Sequence, residues 1–177
     1  MQNKLLESES YAPREDTFFF SDYLKKEKGD KALDIGTGTG YLANVLNSKF
    51  SFVVATDINF KVLKSKIPKI PNCICCESAE SLKCKFDLIV CNPPYLPSEK
   101  IFDKTIDGGK EGVEIPYKII KSVKKCLKKS GKLVFLTSSL ANYQKLIEQS
   151  KILGLSIKIV ARKKLFFEEL ILLEAKN

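Results

Sequence analysis

The chain has 177 residues, 44% of them hydrophobic, which fits one globular domain and excludes a disordered chain. The 30 basic and 21 acidic residues leave a formal net charge of +9, which favours acidic partners such as nucleic acid without selecting one. Histidine is absent, so His-based triads, imidazole general bases and His metal ligands are excluded.

No apolar run approaches the roughly 18–20 residues that cross a membrane, and residues 1–11 are mixed polar, without the apolar core of a signal peptide. The expected location is the cytoplasm, with the nucleus also open. In chain order, Pro13 and the acids Glu15 and Asp16 mark the start of a first helix, because proline and negative charge both suit a helix N-terminus. Residues 31–35 form a short apolar strand, followed by a glycine-rich turn and a helix over 41–47. Strands are expected at 52–56, 72–76 and 86–91, then a helix over 115–127 and a strand over 131–137. A helix over 139–153 precedes two closing strands, 155–161 and 165–174, joined by a polar turn at 162–164. Strands alternating with helices imply an α/β fold with a mostly parallel sheet. Two strands with so short a link must pair antiparallel. Lysine pairs such as Lys124 and Lys125 read as solvated surface.

Six cysteines cluster in part: Cys73, Cys75, Cys76, Cys84, Cys91 and Cys126. Cys73 and Cys76 make one C-x-x-C, and zinc would need two more thiolates, for which Cys84 and Cys91 are nearest. Cys73, Cys75 and Cys91 lie in strand-like runs, where free cysteine acts as a small hydrophobe. Neither a metal site nor disulfides are expected.

Two motifs carry chemistry. Asp34-Ile-Gly36-Thr-Gly38-Thr-Gly40 follows the first strand and opens a helix, so its glycines allow a tight turn and close approach of a ligand. Asp57, 23 residues after Asp34, ends the next strand, where an acid can accept hydrogen bonds from both ribose hydroxyls. The fourth strand runs into Asn92-Pro93-Pro94-Tyr95. Pro93 and Pro94 donate no backbone hydrogen bonds but keep their carbonyl acceptors. Asn92 adds a side-chain oxygen acceptor and Tyr95 a flat aromatic face. The set suits a planar NH₂ group, whose delocalised lone pair needs two acceptors and a fixed orientation before it attacks a methyl donor.

The order of elements resembles the Rossmann-like class I methyltransferases: a seven-stranded, mostly parallel sheet with an antiparallel C-terminal hairpin and helices on both faces. The resemblance implies S-adenosylmethionine as cofactor. Asp34 would hold its methionine end, Gly36, Gly38 and Gly40 would let the chain pass close, and Asp57 would hold the ribose. Ile58 would pack on adenine, and Glu77 would reach the adenine amino group. At Asn92-Pro93-Pro94-Tyr95 the chain resembles amino- and amide-nitrogen methyltransferases, which makes Asn92, Pro93 and Tyr95 the catalytic candidates, with Pro94 also against the substrate. Tyr11-Ala-Pro13-Arg-Glu15-Asp16-Thr17 and Asp107-Gly108-Gly109-Lys-Glu-Gly112 narrow the resemblance to the HemK-like glutamine methyltransferases, in their short eukaryotic and archaeal branch. Thr17 would then belong to the cofactor pocket, and Asn92 would touch cofactor as well as substrate.

That family's substrate is the glutamine of the Gly-Gly-Gln loop in class I peptide release factors. An adenine amino-group methyltransferase acting on RNA or DNA is the alternative, since both targets present a planar NH₂; direct nucleic-acid binding stays open. The chain is read as one methyltransferase domain over residues 1–177. Only about ten residues precede the Tyr11 signature, so the resemblance assigns substrate recognition to a partner, a small zinc-binding Trm-type activator. The third strand, Asn72-Cys73-Ile74-Cys75-Cys76, would lie bare at a sheet edge, the place for that partner to add a strand.

Overall fold

The computed structural model describes residues 12–64 and 72–177; Tyr11 of the N-terminal signature and the expected absence of a signal peptide lie outside the described residues. Helix α1 (Glu15–Leu24) leads to β1 (Gly29–Ile35), α2 (Tyr41–Asn47), β2 (Phe50–Asp57), the short α3 (Phe60–Lys64) and β3 (Cys73–Cys75). Then come β4 (Phe86–Cys91), β5 (Leu96–Pro97), β6 (Asp107–Gly109), α4 (Glu114–Val123), β7 (Leu127–Ser138), α5 (Tyr143–Ile152), β8 (Ser156–Lys164) and β9 (Glu169–Lys176). Seven strands form one sheet in the order β3-β2-β1-β4-β7-β9-β8. Pairing is parallel from β3 to β7 and antiparallel for β7–β9 and β8–β9.

The two faces of the sheet follow the period-two alternation of the central strands. Leu33, Ile35, Ile89, Leu133 and Phe135 pack on one side with Ile120 and Val123 of α4 and Leu146 of α5. Ala32, Leu88, Val90, Val134 and Leu136 pack on the other with Phe20 and Leu24 of α1 and Leu42 and Leu46 of α2. Asp34 has the parity of Ala32, so its side chain lies on the α1/α2 side, where the N–H of Ala43 reaches it.

Several boundaries differ from the sequence reading. Helix α4 stops at Val123, and a 3₁₀ turn, Lys124–Cys126, delivers Leu127 directly into β7. Gly131 sits inside that strand, because a Cβ there would lie 2.5 Å from the Phe86 carbonyl oxygen. Helix α5 starts at Tyr143 rather than 139, since the Asn142 side chain accepts from the Lys145 N–H and caps it. The hairpin turn moves from 162–164 to 165–168. Arg162, Lys163 and Lys164 instead pair with Ile171, Leu170 and Glu169, and polar residues suit β8 because it is an exposed edge strand. Helix α3 and the small β5–β6 sheet were not anticipated; both are too short to show a period.

Candidate active site

The chain runs outward from β1 through β2 to β3, then returns to place β4 on the other side of β1. Such a reversal leaves a crevice at the carboxyl ends of the two central strands. Register pairs Asp34 with Val90 and Ile35 with Cys91, so the turn after β1 and the turn after β4 open side by side. A cleft of about 1,890 Å³ lies there. It exceeds the roughly 300–1,000 Å³ of a site for one small molecule and leaves room for two ligands.

The first wall is the glycine turn. Gly36, Gly38 and Gly40 have φ of 65°, 52° and 78°, conformations that side chains with a Cβ rarely adopt. A Cβ at Gly36 would meet nothing within 4 Å, so that backbone faces open space. Gly36 and Gly38 line the cleft. Gly40 is not among the lining residues; it is the left-handed N-cap of α2.

Two carboxylates brace the turn. Asp34 is 1% exposed and its Oδ2 accepts from Thr37 Oγ1 at 2.7 Å and the Ala43 N–H at 3.1 Å. Burial pushes its carboxyl up to about 7, against the pull of those two hydrogen bonds. Asp57 accepts from the Gly38 N–H at 2.9 Å through Oδ2 and from the Asn59 N–H at 2.8 Å through Oδ1. It therefore organises the glycine turn as well as facing the cleft. Ile58, 69% exposed, and Glu77, also exposed, line the same cleft. An exposed isoleucine at a cleft wall leaves apolar surface for a flat ligand to cover.

The second wall is Asn92-Pro93-Pro94-Tyr95, every residue of which lines the cleft. Its support comes from the glycine-rich segment. A Cβ at Gly108 would sit 2.8 Å from the Pro94 oxygen and 2.8 Å from Tyr95 Cα; one at Gly112 would sit 2.2 Å from the Tyr95 oxygen. Gly108 and Gly112 are thus explained by backbone packing behind the reacting loop, whereas Gly109, with φ of 100°, backs onto the Glu114 side chain. Gly112→Ala should cost about 2–4 kcal/mol, from its φ of 71° and the displaced carbonyl. Denaturant unfolding checks this, and turnover should fall with it.

Sequence reasoning missed one connection. Asn92 Nδ2 donates to Asp16 Oδ2 at 2.9 Å, across 76 positions. In the sequence Asp16 shows only as a helix-terminal acid and part of a signature. Asn92 Oδ1 is buried without a hydrogen-bond partner. Thr17, 6% exposed, also lines the cleft and donates its N–H to Asp16 Oδ1 at 2.6 Å. The strongly exposed Phe102 sits on the cleft wall.

Residues 15–167 match the family profile of the methyltransferase small domain. The chain belongs to the methyltransferase small domain family. Within it the chain is HemK-like: it is 36% identical, over 96% of its length and 93% of the relative's, to a Methanocaldococcus jannaschii protein provisionally assigned as a protein N5-glutamine methyltransferase. A release factor glutamine methyltransferase of Bradyrhizobium diazoefficiens is 28% identical over 62% of the chain and 44% of its own length. The E. cuniculi Mtq2–Trm112 complex, described as responsible for methylating the termination factor eRF1, contains a chain that superposes with a TM-score of 0.82 at 26% identity. That match covers 96% of this chain and 99% of the other. The chain is a methyltransferase of the class I fold, a fold that uses S-adenosylmethionine. Among the described residues no group of three or more His, Cys, Asp or Glu side chains is placed to hold a metal, and no helix is long and apolar enough to cross a membrane.

Proposed function

We propose that this methyltransferase modifies the side-chain amide nitrogen of the glutamine in the Gly-Gly-Gln loop of a class I peptide release factor. The observation that carries the reading is the unpaired, buried Asn92 Oδ1 beside two prolines that have no N–H to satisfy it. A buried acceptor left unsatisfied costs about 1–3 kcal/mol unless a donor arrives, and an amide NH₂ is such a donor. The names of the relatives in Methanocaldococcus and Bradyrhizobium point to glutamine as its bearer.

The residues present fit the cofactor. Asp34 would take its ammonium group, Gly36 and Gly38 would pass beside its amino-acid end, and Thr17 would close that side. Asp57 would hold the ribose, Ile58 would cover adenine and Glu77 would accept from its amino group. When bound, S-adenosylmethionine supplies an electrophilic sulfonium methyl. Asn92 Oδ1 and the Pro93 carbonyl accept the two hydrogens of the target amide, polarise its nitrogen and hold its lone pair toward the donor, and one of those protons leaves to water in the open cleft once the nitrogen carries the methyl group. Pro94 stiffens the loop and Tyr95 stacks on the amide plane. Asp57→Ala should weaken cofactor binding by about 1.5–3 kcal/mol, the scale of hydrogen bonds to a charged group. Calorimetry showing unchanged affinity would remove Asp57 from the site.

The same reading has the reaction in the cytoplasm, with the nucleus also open, residues 1–177 as one catalytic domain and a small zinc-binding activator as partner. The Trm112 subunit in the Mtq2 complex supports such a partner. The docking place is the β3 edge. The Ala55 N–H donates to the Asn72 oxygen and the Cys76 N–H to the Asp57 oxygen, and the alternation of a parallel ladder turns the Cys75 N–H outward. Ile74 packs on the core, so the cleaner probe is Cys75→Pro, which removes an outward donor and spares the sheet. It should abolish co-purification with the activator while calorimetric cofactor affinity stays unchanged; normal complex formation would move the interface elsewhere.

One assay tests the substrate. Labelled methyl transfer should mark purified release factor at one glutamine by mass spectrometry, and Gln→Ala there should stop it. Labelling of adenine in RNA or DNA, with none on release factor, would replace this reading.

A further inference from the structure

We propose that Asp16 is a positioning residue: it locks the Asn92 amide in the one orientation that presents an acceptor to the target, and so makes the site select NH₂ groups over carboxylates. The inference rests on the methyl-transfer reading above and adds the origin of its selectivity. The two ends of an asparagine amide are nearly equal in size and opposite in chemistry, one two donors and the other an acceptor. Shape alone does not choose between them. The carboxylate of Asp16 chooses, because it offers only acceptors: at 2.9 Å from Asp16 Oδ2 the facing atom must be the amide nitrogen. The oxygen is thereby turned to the other side, where it is buried and finds no partner.

The lock is itself held. Asp16 is 5% exposed, and its other oxygen, Oδ1, accepts from the N–H of Thr17 at 2.6 Å and from Thr17 Oγ1 at 3.2 Å. Both oxygens are engaged, so the carboxylate cannot swing away. It lies in the first turn of α1, where the helix dipole favours negative charge. The fold gains nothing from the unpaired Asn92 oxygen; a target that donates recovers its cost. A glutamine amide or an aromatic amine does so. A glutamate carboxylate would bring lone pairs against Oδ1 and a second negative charge toward Asp16, and is refused.

The test is a swap. Asp16→Asn keeps the size and an oxygen for Thr17, but its new amide can face Asn92 with donors and reverse it. In Asp16→Asn/Asn92→Asp the new amide donates to the new carboxylate, whose second oxygen again accepts from the target. Asp16→Asn should lower the single-turnover rate about 30-fold, the scale of one charge-assisted hydrogen bond. Cofactor affinity and unfolding midpoint should hardly move, and the double variant should recover about tenfold of the rate. In the free wild-type protein labelled with ¹⁵N-asparagine, the Asn92 side-chain NH₂ signals should show slowed exchange that Asp16→Asn removes. A wild-type rate in Asp16→Asn, rate loss that follows cofactor affinity or unfolding with no recovery in the swap, or rapid NH₂ exchange in the wild type would each overturn the proposal. If release factor is not the substrate, the wild type fails on it while the exchange signature persists, and the rates are then read on the adenine-bearing substrate.

Discussion

Replacing Asn92 by alanine should lower single-turnover methylation by about 10²–10³-fold, the size of effect seen when one preorganised polar group is removed from a transition-state site. The target nitrogen is a poor nucleophile while its lone pair is shared with the carbonyl. As that lone pair turns to the methyl group the N–H bonds become more acidic, and an acceptor facing them binds more tightly than in the ground state. The loss should therefore appear in the chemical step rather than in substrate affinity. The variant also leaves Asp16 Oδ2 without the donor it has at 2.9 Å, which costs stability of about 1–3 kcal/mol. Rates are accordingly compared at saturating cofactor and well below the unfolding midpoint. A variant that turns over at the wild-type rate removes Asn92 from the reaction.

The central sheet was legible because its strands are apolar, bounded by glycine or acid, and separated by helices of ordinary length. Both motifs could be placed at strand ends, and the reversal of strand order then brought them together at Asp34–Val90 and Ile35–Cys91. Three kinds of feature were not legible. Short elements such as β5, β6 and α3 carry no period. The polar run Arg162-Lys163-Lys164 read as a turn, although an exposed edge strand tolerates the same residues. The Asp16–Asn92 contact spans 76 positions and depends on how α1 lies across the end of β4, which no local pattern encodes. The signal available was the acid at 16 within the N-terminal signature; its role as a brace needed coordinates. The glycines at 108 and 112 behave likewise. Their motif was visible, while the reason, backbone passing behind Pro94 and Tyr95, was not.

Cofactor affinity should depend steeply on pH, and the direction follows from Asp34. Burial raises this carboxyl from 3.8 to about 7 in the free protein, so below neutrality it is largely protonated. A ligand ammonium beside it requires the carboxylate, and binding in acid must expel a proton. The association constant of S-adenosylmethionine should thus fall as pH drops through 7, by about 15-fold between pH 7 and pH 5.5, approaching tenfold per pH unit once the carboxyl is mostly protonated, since one pKa unit is worth about 1.4 kcal/mol. Above 7 the carboxylate is already formed and the dependence flattens. Stability carries the opposite sign. A buried acid whose folded pKa exceeds its unfolded value binds more protons when folded, so its contribution to stability is greatest below 3.8 and is lost as pH rises through 7. Saturating cofactor should cancel that loss, because the ammonium returns the folded pKa toward its unfolded value. Calorimetry across pH 5.5–8 checks the affinity, with methylthioadenosine as control. That ligand keeps the ribose and adenine that Asp57 and Ile58 would hold but lacks the amino-acid end, so its affinity should be flat with pH. Asp34→Asn should bind S-adenosylmethionine weakly at every pH and without the slope. An equal slope for both ligands would place the titrating group elsewhere and remove Asp34 from the ammonium site.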